Sequence, residues 1–408
     1  MPSATYRTLL RTPGAASFFL SATIGRLGIA MTGLGIIWLV HDRTGSYAGA
    51  GLVTGGFAVA EALAGPQLAR LIDRFGQTRV LPPALLAHTT AVVLLLLLVD
   101  HGSPPWLTTA AGALAGATIP QLGALSSAHW SALLRGERAT GLSTAFALES
   151  LGNGLCYLAG PALVTAVGVS SAGPAPGTLL AASLVVGGGL ALAAQRRTAP
   201  ATAGPTERKR AGHSLLRPGF PAQAGINLTL GLFFDAMQVS VTAFAVVQGA
   251  PEQAAPLYAV SNCAGLLAGW LYGLRQWPGT PRVQLSLATV WLALSCLPLL
   301  AAASMPAMAL ALAATGLAIP PTLVLSSLLT TASVHRAPLT QAFTWLNSAS
   351  AAGSAGSAAL SGRAVDAHGA HGGFAIAAAA SCLMAVLTAA HALAARAGRY
   401  RLDRGANP

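Results

Sequence analysis

Four ionisable side chains stand where a polypeptide can least accommodate them. Arg26, Glu61, Glu149 and Asp235 each fall deep inside a long apolar stretch. A charge at the centre of a membrane-spanning helix costs roughly 2.5–3.5 kcal/mol, so each of these must face protein or water. A carboxylate held away from bulk water can take up and release a proton near neutral pH, whereas arginine keeps its charge. These residue types therefore suit proton exchange coupled to movement of a substrate, or an ion pair that ties helices together. Arg26 and Glu149 lie about ten residues into their stretches, and Glu61 about ten before the end of its own; at ~1.5 Å per residue all three sit ~13–18 Å from one boundary. Pairing of Arg26 with Glu61 or Glu149 is feasible, and for Arg26 and Glu61 both the proton site and the fixed pair stay open. Glu149, as a third charge, favours the proton site. Asp235, with Gln238 nearly one turn later and Asn227 two turns earlier, is a separate candidate cation or proton site. Gln121, Asn153, Trp345 and Asn347 fall near the same depth and are candidates to line a substrate cavity.

The elements that must position these groups follow from apolarity. Only 8% of the 408 residues are charged and 54% are hydrophobic, whereas an ordinary soluble domain is about one quarter charged. A bilayer core of ~30 Å needs about 20 mostly apolar residues per helix. Stretches of that kind run over 16–40, 46–69, 80–99, 105–130, 141–167 and 178–195, then over 219–248, 253–274, 283–303, 306–332, 338–362 and 372–395. Runs such as "AVVLLLLLV" (91–99) lack the alternation of barrel strands. The expected fold is all-α and integral to the membrane, with twelve transmembrane helices. Polar residues 196–217, rich in Pro, Gly and charge, predict a cytoplasmic linker between an N-terminal half, 1–195, and a C-terminal half, 218–408.

An internal repeat supports that division. "ATIPQLGALSS" (117–127) lines up with "LAIPPTLVLSS" (317–327), matching Ile119, Pro120, Leu125, Ser126 and Ser127 to Ile319, Pro320, Leu325, Ser326 and Ser327. "TAFALES" (144–150) echoes "AFTWLNS" (342–348), so Glu149 falls near Asn347 in the repeat. Six spans return the chain to its starting side, which makes the halves parallel repeats about an axis along the membrane normal. The pairs Gly112/Gly116 and Gly265/Gly269 have the small-xxx-small spacing that lets helices approach closely.

The net charge of +12 invites a nucleic-acid reading, but its location excludes one. With a cytoplasmic N-terminus, all but three of the 23 Arg and Lys residues lie inside; Arg43 and Arg363 are external and Arg26 is within a span. That bias fixes both termini in the cytoplasm and makes the lipid bilayer, not nucleic acid, the partner. The nearly lysine-free, Ala-, Gly- and Arg-rich composition points to a GC-rich bacterial genome, so the expected location is a bacterial inner membrane. Cys156, Cys263, Cys296 and Cys382 all fall in apolar stretches without a CxxC pair, so no metal site or disulfide framework is expected. The chain carries no HExxH and no GxGxxG after a strand, and Lys209 is followed by Arg210, so there is no Walker A motif. Neither an enzyme nor an ATP-driven pump is expected, and no cofactor.

"ARLIDRFGQTRVL" (69–81) packs Arg70, Asp73, Arg74 and Arg79 between two apolar stretches. Gly76 permits a tight turn. Asp73 can cap free amides at a helix N-terminus, and Arg74 and Arg79 can bond helix C-terminal carbonyls or a carboxylate such as Glu137. The segment resembles the signature loop of the major facilitator superfamily, roughly Gly-x-x-x-Asp-Arg-x-Gly-Arg-Arg. Asp73, Arg74 and Gly76 match, Arg79 supplies a displaced cation, and Ala69 and Gln77 depart from the pattern. Gly160-Pro161 in the fifth stretch is similar to the antiporter-associated glycine–proline pair. The resemblance extends over the whole chain and is nearest to actinobacterial drug or small-molecule exporters. It implies a secondary active transporter that works by alternating access as a monomer. It also implies proton-coupled efflux of amphiphilic small molecules, with Asp73, Arg74, Gly76 and Arg79 as a gate. The alternative is a proton-coupled importer of a sugar or organic acid, with Arg26 binding an anionic group.

Overall fold

The computed structural model describes residues 5–170, 173–202, 215, 219–334 and 338–405. Most of the expected linker, including Arg208, Lys209, Arg210 and Arg217, lies outside the described residues, as do Arg336 and the side chain of Glu137. Among the described residues every regular element is a helix. In chain order these are α1 (Tyr6–Leu10), α2 (Ala15–Thr44), α3 (Tyr47–Phe75), α4 (Gln77–Asp100), α5 (Pro105–Thr118), α6 (Leu122–Leu133), α7 (Leu142–Ser170) and α8 (Ala175–Ala193). They continue with α9 (Gly219–Val247), α10 (Ala254–Leu274), α11 (Pro281–Cys296), α12 (Met305–Ser333), α13 (Leu339–His368) and α14 (Ala370–Gly405). Ten described helices are long and apolar enough to cross a membrane, and the chain is a multi-pass membrane protein.

Two of the twelve expected stretches differ. The stretch 105–130 is not one helix: α5 ends at Thr118 and α6 starts at Leu122. Pro120 has no N–H to offer the Gly116 carbonyl, and its ring pushes the preceding residue into extended backbone. Ile119 accordingly sits at φ −70°, ψ 123°, and its N–H turns to the Gly116 carbonyl at 3.4 Å. The stretch 338–362 forms the 30-residue α13, whose Ser, Thr, Gly, Gln and Asn content keeps it out of the apolar ten.

The chain divides into two compact units. The first takes residues 1–145, 151–212 and 335–348; the second takes 146–150, 213–334 and 349–408. Within the first, α2 packs on α8, α3 on α5, and α4 on both α5 and α8. Within the second, α9 packs on α14, α10 on α12, and α11 on both α12 and α14. The same pairing scheme thus recurs when α2, α3, α4, α5 and α8 are read as α9, α10, α11, α12 and α14.

Glycines set the closest of these crossings. A Cβ at Gly116 would strike the Phe57 carbonyl of α3, and one at Gly112 would lie 3.0 Å from the Val53 carbonyl. Gly316, 200 positions after Gly116, meets the Ser261 carbonyl of α10 in the same way, and Gly265 faces the Gly316 carbonyl at 3.3 Å. Such approach of backbones is what small residues permit where lipid offers no hydrophobic drive to associate. Gly160, beside Pro161 on α7, packs against Ala30 and the backbone of Met31 on α2.

Candidate functional site

The first unit gathers several of the polar residues singled out from sequence into one hydrogen-bonded chain. Glu61 sits on α3, Gln121 at the break between α5 and α6, and Asn347 in the first turns of α13. The break frees Gln121 from the helical ladder and makes it the residue that caps α6, at φ −79°, ψ 73°. Its Nε2 donates to Glu61 Oε1 at 2.7 Å, and its Oε1 accepts from Asn347 Nδ2 at 3.3 Å. Gly65, one turn after Glu61, leaves the room: a Cβ there would lie 3.2 Å from Thr344 and 3.5 Å from the Gln121 side chain.

A second bond joins the same helices. Pro66 inside α3 has no N–H for the carbonyl four residues earlier, which belongs to Ala62. The Ser348 hydroxyl donates to that carbonyl at 2.6 Å. The α5/α6 break is served likewise: His88, fully buried on α4, places Nδ1 3.0 Å from the Ala115 carbonyl, and that geometry requires Nδ1 to carry the proton. Thr118 adds its hydroxyl at 3.2 Å.

The segment 69–81 is almost wholly helical rather than a loop. Asp73 and Arg74 occupy the last turn of α3, and Arg79 the first turn of α4, while Gly76 alone makes the junction. Its φ of 86° lies in the region open to glycine. Alanine, leucine, isoleucine and arginine between 69 and 74 are sound helix formers, so the charged residues do not interrupt α3 before its end at Phe75. Asp73 Oδ2 accepts from the backbone N–H of Gln341 at 2.9 Å, in the first turn of α13. A carboxylate there meets both a free amide and the positive end of the helix dipole. Arg74 is exposed and lies over the Phe75 ring at 4.8 Å, and Arg79 is exposed.

Helix C-terminal carbonyls are instead bonded by Gln77, the residue that departs from the signature pattern. It is buried, and its Nε2 donates to the carbonyls of Leu192 at 2.8 Å and Gln195 at 2.9 Å, at the end of α8. The amide thus supplies donors where the pattern has an arginine. The start of the expected linker packs nearby: Thr198 is buried against Gly14, and Thr202 lies 3.3 Å from a Cβ at Gly76.

The remaining candidates lie on α2, α7, α9 and α13. Arg26 on α2 is buried, donates from Nη2 to Thr23 Oγ1 at 3.0 Å, and lies 5.8 Å from the Phe19 ring centroid. Gly123 and Gly152 make space for its guanidinium; a Cβ at either would come within 3.2 Å of it or its stem. Glu149 is buried on α7, with Asn153 half-buried one turn on. Asp235 is half-buried on α9, and its Oδ2 is shielded without a hydrogen-bond partner among the described residues. Neither Gln238 nor Asn227 serves it: Gln238 is exposed, and Asn227 Nδ2 donates to Ser326 Oγ at 3.1 Å and to the Gln223 carbonyl at 2.9 Å. Trp345 is 39% exposed, so it is no core residue.

Sequence reasoning missed Ser348, His88 and Gln77 as partners. Two of the three were signalled by prolines: Pro66 and Pro120 each announce a carbonyl in the preceding turn without its usual donor.

This architecture of close-packed, mostly apolar helices with buried carboxylates and amides is that of a membrane transporter. Residues 18–283 match the family model described as Major Facilitator Superfamily, and the chain belongs to that family. No curated protein sequence matches it. Among solved structures, the human organic anion transporter MFSD10 (TETRAN) is similar over 93% of this chain and 100% of its own, at TM-score 0.72 and 16% identity. A bacterial homologue of the iron transporter ferroportin, in an outward-facing state, is similar over 92% and 98%, at TM-score 0.71 and 11% identity. The transporter FucP, in the outward conformation, is similar over 93% and 99%, at TM-score 0.69 and 13% identity. These likenesses show a shared fold.

Proposed function

We propose that the chain is a proton-coupled secondary transporter that exports amphiphilic small molecules by alternating access. In this reading it is a monomer of the drug or small-molecule exporter type in a bacterial inner membrane. It has twelve spans, counting α5 with α6 as one and α13 as another. Residues 1–195 and 218–408 form two six-helix halves, residues 196–217 are a cytoplasmic linker, and both termini are cytoplasmic. The observation that carries the reading is the Glu61–Gln121–Asn347 chain: an acid halfway along a membrane-crossing helix, held among the described residues by the Gln121 amide and not by a fixed cation. A carboxylate so held can change protonation without breaking an ion pair. Glu149 and Asp235 are further acids for the same proton traffic, and Arg26, Asn153, Gln238 and Trp345 are candidates to contact the substrate.

Asp73 is the gate in this reading. Its bond to the Gln341 amide exists only while the N-terminal end of α13 stays beside the last turn of α3, so it stabilises one state of the transport cycle. Gly76 lets α3 and α4 meet in a single residue at that point, and exposed Arg74 and Arg79 add cations beside it.

The test is flux of the amphiphilic cation ethidium in proteoliposomes with an imposed pH gradient. Wild type should drive ethidium against its gradient when the proton gradient is present. Glu61→Gln should lose that dependence while retaining exchange down the ethidium gradient. Flux that ignores the pH gradient in wild type, or a Glu61→Gln variant with full gradient-driven export, refutes proton coupling through Glu61. Uptake instead of export would turn the assignment to the importer reading.

A further inference from the structure

We infer that Gln121 is a relay that converts the protonation state of Glu61 into attachment or release of the first turns of α13, through the single amide that touches both Glu61 and Asn347. The inference rests on the proton-coupled reading and assigns Gln121 a positioning role in place of substrate contact.

The argument comes from donor and acceptor counts. An ionised carboxylate only accepts hydrogen bonds, so Gln121 must turn its NH2 towards Glu61. With the NH2 turned to Glu61, the oxygen at the other end of the amide is directed at Asn347. That is the arrangement observed, with Nε2 2.7 Å from Glu61 Oε1 and Oε1 3.3 Å from Asn347 Nδ2. The negative charge on Glu61 also polarises the amide and makes its oxygen a better acceptor. When Glu61 takes a proton from the aqueous phase, it gains an O–H that needs an acceptor. The Gln121 oxygen meets that need when the amide turns over. Its NH2 then faces the Asn347 NH2, donor against donor, and that hydrogen bond is broken; re-forming it requires the Asn347 amide to turn as well. Return of the proton to water reverses each step.

The site has the parts such a relay requires. The α5/α6 break at Pro120 leaves Gln121 outside the helical ladder, so its side chain is free to turn. Gly65 leaves the space through which it turns, since a Cβ there would crowd Gln121 and Thr344. The bond from Ser348 to the Ala62 carbonyl lies one residue beyond Asn347 and does not titrate, so it sets a constant part of the attachment. The ionisable groups around Glu61 are few. Tyr157 on α7 lies within electrostatic reach of both Glu61 and Arg26 of α2. On α4, His88 is turned to the Ala115 carbonyl, and on α6, His129 is turned to the Leu125 carbonyl. Residues 105–118 of α5 and 339–348 of α13 carry no ionisable side chain.

The experiment is pulsed electron paramagnetic resonance on full-length protein in nanodiscs. Cys156, Cys263, Cys296 and Cys382 are replaced by alanine, and spin labels are attached at exposed positions Leu71 on α3 and Trp345 on α13. The wild-type background should show two distances whose ratio moves at least tenfold between pH 5.5 and 8.5, the short one favoured at high pH. Glu61→Gln should make the ratio independent of pH. Gln121→Leu should do the same although Glu61 is intact. Asn347→Ala, at an exposed position where loss of folding is not at issue, should also flatten it. A full tenfold shift in either Gln121→Leu or Asn347→Ala overturns the relay. A flat wild-type ratio overturns it too. Ethidium export that still follows the pH gradient in that flat protein would leave the proton-coupled reading standing, whereas export that ignores the gradient would remove both.

Discussion

Replacing Ser348 by alanine, with and without Pro66, isolates a bond whose existence follows from a missing N–H. In wild type the Ala62 carbonyl faces Pro66 four residues on and receives the Ser348 hydroxyl at 2.6 Å. Ser348→Ala leaves that acceptor without either donor. A hydrogen bond contributes about 0.5–1.5 kcal/mol net and a stranded buried group costs about 1–3 kcal/mol. Because Ser348 is half-buried, the loss should fall near ~1–2 kcal/mol, a roughly 5- to 30-fold change in the folded-to-unfolded ratio. In a Pro66→Ala background, residue 66 regains an N–H and closes the helical bond to Ala62. Ser348→Ala should then cost under ~0.5 kcal/mol, leaving a coupling of about 1 kcal/mol between two residues 282 positions apart. The assay is reversible unfolding of the four proteins in mixed detergent micelles of rising SDS fraction, followed by tryptophan fluorescence. Additive costs, within ~0.3 kcal/mol, would refute the reasoning, because they would mean the hydroxyl does not replace the proline's absent donor.

Three further outcomes follow from the same geometry. Gly116→Val should prevent α3 and α5 from meeting and abolish the monodisperse peak in size-exclusion chromatography. Gly55→Ala, where nothing lies within 4 Å of the added Cβ, should change stability by under ~0.5 kcal/mol; equal behaviour of the two would refute the close-contact account. Gln77→Leu removes the side-chain donor from the Gln195 carbonyl and one of the donors from the Leu192 carbonyl, which keeps the Gln195 N–H, and should lower stability by about 1–3 kcal/mol. Gln77→Arg, which keeps a donor, should lose less than half as much in the same unfolding assay. Asp73→Asn should slow ethidium turnover in proteoliposomes while leaving ethidium binding within about twofold, since the amide keeps one acceptor oxygen but loses the charge opposite the α13 dipole; unchanged turnover would return the segment to a topological anchor.

What the sequence makes legible is whatever a single periodicity or composition carries. Long apolar runs locate the helices because lipid gives a helix no other place to put polar backbone. The spacing of Gly112 and Gly116 locates a crossing, and the repeat around Pro120 and Pro320 extends to the equivalent contacts of Gly116 and Gly316. What stays hidden depends on partners far apart in the chain. Charge between 69 and 81 reads as a loop, yet only Gly76 leaves the helix, because charge reports contact with water and not backbone conformation. Gln77 reads as a departure from a pattern, yet its amide provides the donors that the end of α8 needs.

Proline illustrates the same limit most sharply. Pro120 ends a helix, whereas Pro320 and Pro321, at the repeat-equivalent place, lie within the continuous α12. Apolarity and proline content are alike in the two stretches, so neither decides the outcome. At the break, the Ala115 carbonyl, released near Pro120, is met by both His88 and Thr118, and Gln121 is released to reach Glu61 and Asn347. An irregular backbone inside a membrane persists only where protein supplies the bonds that lipid cannot. The same irregularity is what leaves a polar side chain free to act. The break at Pro120 and the freed carbonyl behind Pro66 therefore belong to one design, in which each proline withdraws a donor from a helix and α13 or its neighbours answer with a side chain. In the relay proposed for Gln121, a transport cycle that moves α13 must exchange those answers, and Gln121 is the one whose exchange a proton commands.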